Sequence, residues 1–446
     1  MFERARQRNE DSLEKMPDKE RIWTKEYMLI TVANFFIAIN FYAQLTTGAY
    51  FAIFELGVSE TLAGFAAGLF VVGSLAARLI LSKYARQRHY KLILLIDISL
   101  MVIFTALHFT VNGFAVFCVF RFLLGATYGI SSNVFMTIIA LIIPEGRKGE
   151  GVAWYSMSQI LGMAMGPFCA IYIMHSFGFD GVFLLLTIVT AIALAIICFV
   201  KQPEEAERAK SLPVADSARV TDKPGSEEPG SNKPESDKRR SAERRPDKLP
   251  AEERGIWQFL ERTAVRISIF CVIIYMCNSN YQSFAPVFIT ESGAPGLSSA
   301  IFLASAGAML AVRPLIGKLF DKYGPNMLIL FGLIIYTAGF FLIGQGALSL
   351  FVPAALLIGM GLSSIYGTTL TVVVSDSPRH RLNVANATYF LALDLGAAVG
   401  PAIGGGIAEH MGYSMMYFVF AVVVAACIPL YFGYVAKGRA RMKGRA

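Results

Sequence analysis

The sequence predicts an all-α integral membrane protein whose twelve transmembrane helices form two six-helix, pseudo-symmetric bundles. Three observations predict it. Of 446 residues, 55% are hydrophobic and only 16% are charged, against about 25% charged in soluble domains, and the mean hydropathy is +0.53. Apolar runs of about 20 residues, long enough to cross a hydrocarbon core about 30 Å thick, recur along the whole chain. The first half of the chain can also be laid over the second.

Six runs fall at 27–49, 61–82, 91–110, 113–138, 151–174 and 181–200, and six more at 265–289, 297–319, 326–346, 350–374, 383–407 and 413–436. They lack the period-2 alternation of a membrane barrel strand, and a helix satisfies its own backbone in lipid. The expected organisation is a tail at 1–26, a bundle at 27–200, a polar linker at 201–264, a second bundle at 265–436 and a tail at 437–446. The linker is rich in proline and charge, as in Lys223-Pro-Gly-Ser-Glu-Glu, and cannot bury enough apolar surface to offset the cost of ordering. A tether is the first reading for it, and a lipid-headgroup or regulatory role for its basic clusters is the second.

A net charge of +8 suits nucleic acid in a soluble protein, but here the cations lie between apolar runs, so no nucleic-acid partner is expected. They gather in alternate connections. Arg4 to Lys25, Lys83 to Lys91, Arg147 with Lys148, the linker, Lys318 with Lys322, Arg379 with Arg381, and Lys437 to Arg445 carry them, whereas the connections near Glu55, Asn112, Asp180, Glu291, Gly346 and Glu409 carry none. Because basic segments stay inside, both termini are expected in the cytoplasm of a cell whose plasma membrane the chain crosses.

The internal repeat is specific. A shift of 235 residues lays Arg78-Leu-Ile-Leu-Ser-Lys over Arg313-Pro-Leu-Ile-Gly-Lys; a shift of 234 lays Pro144 over Pro378, Tyr155 over Tyr389, Gly166-Pro167 over Gly400-Pro401 and Gly178 over Gly412. Doubled helix bundles of this kind work by alternating access, one repeat rocking against the other around a central site.

At these residues the chain resembles the major facilitator superfamily, specifically its twelve-helix drug/proton antiporter branch. Gly307 through Arg313-Pro-Leu-Ile-Gly-Lys-Leu-Phe-Asp321-Lys-Tyr-Gly is similar to that family's loop signature after the second helix of a half. Arg121 with Gly125 resembles its fourth-helix motif, and Gly162-Met-Ala-Met-Gly166-Pro167 its antiporter motif on the fifth. The resemblance implies the major facilitator fold and export in exchange for protons. The first half departs from the pattern: Ser82, Arg86 and His89 stand where Gly, Asp and Gly are expected.

Charges at membrane depth are costly and usually functional, and five lie within the runs: Arg78, Asp97, Arg121, Arg313 and Asp394. Asp394 lies mid-helix, about 15 Å from either end at 1.5 Å per residue. It is expected either to carry the proton or to bond a neighbouring helix. Arg121 is expected to act on that carboxylate, or to fix two helices. Arg78 and Asp97 are expected to pair as an inner-gate clasp, and Arg313 to work with Asp321. Gly162, Gly166 and Pro167, and again Gly396, Gly400, Pro401, Gly404, Gly405 and Gly406, are expected where the two halves pack and part.

A substrate pocket is expected from Asn34, Asn40, Gln44, Asn133, Gln159, Asn278, Asn280, Gln282 and Tyr366, walled by Phe35, Tyr42, Phe135 and Phe284. Such a pocket suits amphiphilic solutes. The six cysteines lie in apolar runs without metal-ligand spacing, the histidines are scattered and no phosphate-binding Gly-Lys-Ser/Thr loop occurs. No metal, cofactor or enzymatic chemistry is expected. The partners are a small molecule, protons and lipid, with the chain acting as a monomer. Alternatives are a proton-coupled importer, an exporter of one metabolite such as a metal-chelating compound, or a receptor with the linker as its output.

Overall fold

The computed structural model describes residues 22–84, 89–144, 147–200, 260–378 and 381–437. The expected tails and most of the expected linker lie outside the described residues. The first four helices are α1 (Lys25–Phe54), α2 (Glu60–Tyr84), α3 (Tyr90–Ala106) and α4 (Phe114–Ile142). Thr24 starts α1 because its hydroxyl accepts the Tyr27 N–H, satisfying a donor that the first turn leaves open.

The next stretch, Lys148–Cys198, carries Gly178 at φ 67°, ψ −169°. That backbone suits glycine and strains other residues, so it divides the stretch into α5 (148–177) and α6 (179–198). After α7 (Arg262–Glu291), Pro295–Gly344 divides in the same way at Gly324, giving α8 (295–323) and α9 (325–344). Following α10 (Phe351–Asp376), Leu382–Leu430 divides at Gly412 into α11 (382–411) and α12 (413–430), which ends in a π-helical turn at Tyr431–Ala436. Gly178 and Gly412 are one device used in both copies of the repeat. Gly324 has no such partner, since His89 occupies the equivalent place at φ −115°.

Ten described helical stretches are long and apolar enough to cross a bilayer, and two of them, Trp154–Cys198 and Val384–Ala436, run to 45 and 53 residues. A single crossing takes about 20. Divided at Gly178 and Gly412, the ten become twelve segments. Large apolar side chains such as Ile96, Val119, Phe331 and Val422 are exposed, an arrangement suited to lipid and hazardous in water.

Close helix approaches repeat with the sequence. An added Cβ at Gly162 would strike Ala38 on α1, and one at Gly396 would strike Val272 on α7; both members of each pair are related by the 234-residue shift. Gly125 against the Phe70 carbonyl and Gly359 against the Ser305 carbonyl repeat in the same way between α2 and α4 and between α8 and α10. Helices α1 to α6 pack chiefly on one another, as do α7 to α12.

One end of the barrel of helices carries Lys25, Lys91, Arg147, Arg262 and Arg381; we call it the basic end. At the opposite, far end the two sets of helices meet. Gly64 and Gly68 of α2 lie against the Pro401 and Ala398 carbonyls of α11, and Gly405 lies against the Glu60 carbonyl. His175 Nε2 and Ser298 Oγ join α5 to α8 at 3.2 Å. Helix α4 makes no comparable packing with α10 or α11 among the described residues, so the halves part towards the basic end.

This corrects one expectation. Gly162 and Gly166 pack on α1, and Gly400 on Met276 and Ser279 of α7, each within its own half. Of the residues expected there, Pro401 through its carbonyl, Gly405 and Gly406 do reach α2 at the seam. The seam glycines that were not expected are Gly64 and Gly68.

Candidate functional site

The seam ends, on its basic side, at an ion pair. Arg78 Nη1 of α2 lies 2.6 Å from Asp394 Oδ2 of α11, and Arg78 Nη2 donates to Ser132 Oγ of α4 at 3.1 Å. The two side chains keep 24% and 22% of their surface exposed, although they sit in the middle of the helix assembly. They therefore line the space between the halves rather than a dry core.

Phenols surround the pair. Tyr42 of α1 and Tyr128 of α4 stand within electrostatic reach of Asp394, and Tyr155 of α5 within reach of Arg78. From the second half, Tyr366 lies near Tyr42, Tyr128 and Arg313, and Tyr275 near both Tyr366 and Tyr42. Phe41 stacks on Tyr128 with centroids 3.7 Å apart, which fixes that ring. The hydroxyls of Tyr155 and Tyr389 are committed, to Asn34 at 2.9 Å and Thr369 at 2.8 Å. Those of Tyr42, Tyr128, Tyr275 and Tyr366 have no hydrogen-bond partner among the described residues. Tyr42, Tyr128, Tyr275 and Tyr366 thus lie with one carboxylate and two guanidiniums in one neighbourhood where the halves meet. Such a lining offers hydrogen bonds, flat apolar surface and one ionic handle.

The expected pairing of Arg78 with Asp97 does not form. Asp97 is buried on α3, with neither oxygen in a hydrogen bond. Its polar neighbour Ser131 spends its hydroxyl on the Thr127 and Tyr128 carbonyls. Helix α4 separates the two: Ser131 faces Asp97 while the next residue, Ser132, faces Arg78, as the 100° turn per residue requires.

Arg121 is also elsewhere. Fully buried, it donates through Nη1 to the Gln44 carbonyl at 2.7 Å and through Nε to the Ala66 carbonyl at 3.3 Å, with its guanidinium 4.3 Å over the Phe70 ring. No carboxylate is its partner among the described residues, so it ties α1, α2 and α4 together, and Arg78 takes the place beside Asp394. Arg313 is half-buried near Tyr366. The side chain of Asp321, its expected partner, lies outside the described residues.

Most of the expected amide pocket is helix glue. Asn34 donates to Ser158 Oγ at 2.7 Å, Asn40 to Thr190 Oγ1 at 2.8 Å, and Asn280 to the Met276 and Gly400 carbonyls at 2.7 and 2.9 Å. Asn278 accepts from the Tyr336 hydroxyl at 3.3 Å, Gln44 accepts from Arg121, and Gln282 is buried. Phe135 and Phe284 are core residues. Asn133, Gln159 and Tyr366 keep partial exposure, as do the expected wall residues Phe35 and Tyr42. Sequence reasoning missed Tyr128, Tyr275 and Ser132; a phenol in the middle of an apolar run is the signal that marks the first two. Among the described residues no group of three or more His, Cys, Asp or Glu could hold a metal ion.

Comparison with known proteins places this geometry. Residues 30–401 match the family profile described as Major Facilitator Superfamily. The staphylopine export protein of Staphylococcus aureus is 22% identical over 83% of this chain and 86% of its own length. The quinolone resistance protein NorA of the same species is 27% identical over 32% of this chain and 37% of its own. An uncharacterised MFS-type transporter of Mycobacterium tuberculosis is 27% identical, the match spanning 27% of its length, and for one of Methanocaldococcus jannaschii the share is 35%. The chain thus covers about a quarter to a third of those two relatives. Among solved structures, a POT family transporter bound to a thioalcohol-conjugated peptide superposes with a TM-score of 0.69 at 13% identity, over 92% of this chain and 96% of that one. The nucleoside transporter NupG does so at 0.65 and 12%, over 92% and 99%. Matched by the family model across most of its length, and carrying its many apolar helices, the chain is a multi-pass membrane protein that belongs to the major facilitator superfamily.

Proposed function

We propose that the protein exports a small amphiphilic solute across the plasma membrane in exchange for protons, by alternating access, with Asp394 as the proton site and Arg78 as its partner. The observation that carries this reading is the Arg78–Asp394 bridge, which joins the two halves and still reaches the space between them. A proton on Asp394 removes the charge that holds Arg78. A basic group on a solute competes for the same carboxylate. Proton and solute then exclude one another, which is the condition for exchange. The names of the S. aureus relatives, one an export protein and one a resistance protein, support the outward direction. The basic end then faces the cytoplasm, and the far-end seam closes the outer side.

A second reading is favoured by a second cation, Arg313, standing near Tyr366 in addition to the Arg78 that holds Asp394. With Asp394 protonated, Arg78 is free for an acidic group, and solute and proton travel together, as uptake requires. The sign of the pH effect separates the two. Exchange requires that protons weaken solute binding, and co-transport requires that they strengthen it. In proteoliposomes, Asp394→Asn should abolish pH-gradient-driven flux and make whatever solute counterflow remains independent of pH; unchanged coupling in that variant would exclude Asp394 as the proton site.

A further inference from the structure

The Arg78 site is repeated in the second half with one member missing. In the first copy Arg78 of α2 gives Nη2 to Ser132 Oγ of α4 at 3.1 Å and Nη1 to the Asp394 carboxylate of α11 at 2.6 Å. The repeat relates α2 to α8 by 235 positions, and it relates α4 to α10 and α5 to α11 by 234, as Gly125 with Gly359 and Gly166 with Gly400 show. Arg78 therefore maps to Arg313, and Ser132 to Tyr366. Tyr366 does stand within electrostatic reach of Arg313. The position on α5 that corresponds to Asp394 is Ile160. Cation and hydroxyl are reproduced; the carboxylate is not.

Among the described residues Arg313 has no hydrogen bond or ion pair, and the Tyr366 hydroxyl bonds none of them either. Both side chains keep part of their surface exposed. Tyr366 ties the place to the region between the halves, because Tyr42 and Tyr128 of the first half lie within its reach. A charge at membrane depth is costly unless it is paired or wetted. Arg78 shows what pairs with it in this fold: a carboxylate delivered from the opposite half. The planar guanidinium fork matches the two oxygens of such a group. Beside it the rings of Tyr366 and Tyr275, with centroids 6.2 Å apart, suit a flat apolar body.

We propose that Arg313 and Tyr366 form the docking site for the carboxylate of an acidic amphiphilic solute, which takes at Arg313 the place that Asp394 takes at Arg78. The site rests on the reading that solute passes between the halves, and it names the group that is recognised there. It requires neither that Asp394 carry the proton nor a particular direction of transport. Because the chain supplies no acid of its own at Ile160, Arg313 is open to a solute while the Arg78–Asp394 bridge is intact. A basic group elsewhere on the solute stays free to compete for Asp394.

The test is calorimetric titration of the full-length protein, in nanodiscs of zwitterionic lipid, with 2-naphthoate and with 2-naphthamide, which has the same rings without the charge. Empty nanodiscs measure partition into lipid. Saturable binding of naphthoate is expected, about tenfold or more tighter than that of naphthamide. Arg313→Gln should weaken it about tenfold or more and erase the preference, Arg313→Lys should keep part of it, and Tyr366→Phe should weaken it about threefold. Ile160→Asp restores the missing acid and should exclude naphthoate as fully as Arg313→Gln does, whereas Ile160→Asn should not. Lys437→Gln, which removes an exposed cation at the basic end, should leave binding unchanged. Thermal unfolding checks that each variant is folded; should Ile160→Asp not fold, the Arg313 variants decide alone. No saturable binding of naphthoate, equal binding of naphthamide, indifference to Arg313→Gln, or undiminished binding in a folded Ile160→Asp would each overturn the proposal. The titration runs without a pH gradient, so these outcomes leave the role of Asp394 standing, and a failure of Asp394→Asn to uncouple flux would leave the Arg313 result standing.

Discussion

Arg78 and Asp394, 316 positions apart in sequence and on helices of opposite halves, meet at 2.6 Å. The contact ties the halves together, because no movement that parts α2 from α11 can leave it intact. It also predicts a specific rescue. Arg78→Asp and Asp394→Arg should each abolish coupled flux, and the charge-swapped double variant should recover part of it. The corresponding swap of Arg78 with Asp97 should recover none. Either single change sets two like charges against each other, so a lower Tm is expected as well, and the double variant should restore it.

The far-end seam leaves no room for a side chain at two positions. Gly64→Val or Gly68→Val would drive methyl groups into the carbonyls of Pro401 or Ala398, and should bias the protein against far-end closure by about 1–3 kcal/mol. In a background whose six native cysteines are serine, Ser298→Cys reports on this. Its reaction with a bulky maleimide should quicken when Gly64→Val is added. Gly162→Val, within one half, should lower thermal stability without that increase.

Arg121 should behave as a structural cation. Arg121→Lys keeps the charge but loses the fork that reaches the Gln44 and Ala66 carbonyls and the flat contact with Phe70. A loss of about 2–4 kcal/mol in stability is expected, read as a fall in Tm and yield. The protein that does fold should keep the wild-type response to a pH gradient.

The amides and the phenols should separate in the same assay. Asn34→Ala removes bonds to Ser158 and Tyr155 and should cost about 0.6–1.7 kcal/mol with little change in solute affinity. Tyr42→Phe and Tyr366→Phe should do the reverse, weakening solute binding several-fold with Tm nearly unchanged, because their hydroxyls bond none of the described residues.

The repeat was legible because glycine spacing is written into the chain: Gly162 and Gly396 meet residues that are themselves 234 apart. The break at Gly178 was legible for the same reason, through Gly412. The partner of Arg78 was not. Hydrophobic periodicity orders a helix against its neighbours but says nothing about which helix of the other half will face it. The amides misled on a similar ground. Asn34 and Tyr42 sit on the same helix, and a turn of 100° per residue decides whether a polar group meets a neighbour or the open space. An apolar run that tolerates polar groups on both sides does not reveal that rotation.

The hydrogen bond from the Thr61 N–H to Glu409 makes one half of the molecule the custodian of the other's helix start. The first turn of α2 borrows its cap from α11, and when the two separate that donor must turn to water. A lost cap is worth about 1 kcal/mol, enough to tilt an otherwise balanced two-state population roughly fivefold. By that much the contact weights the balance towards the conformer in which that loan is outstanding.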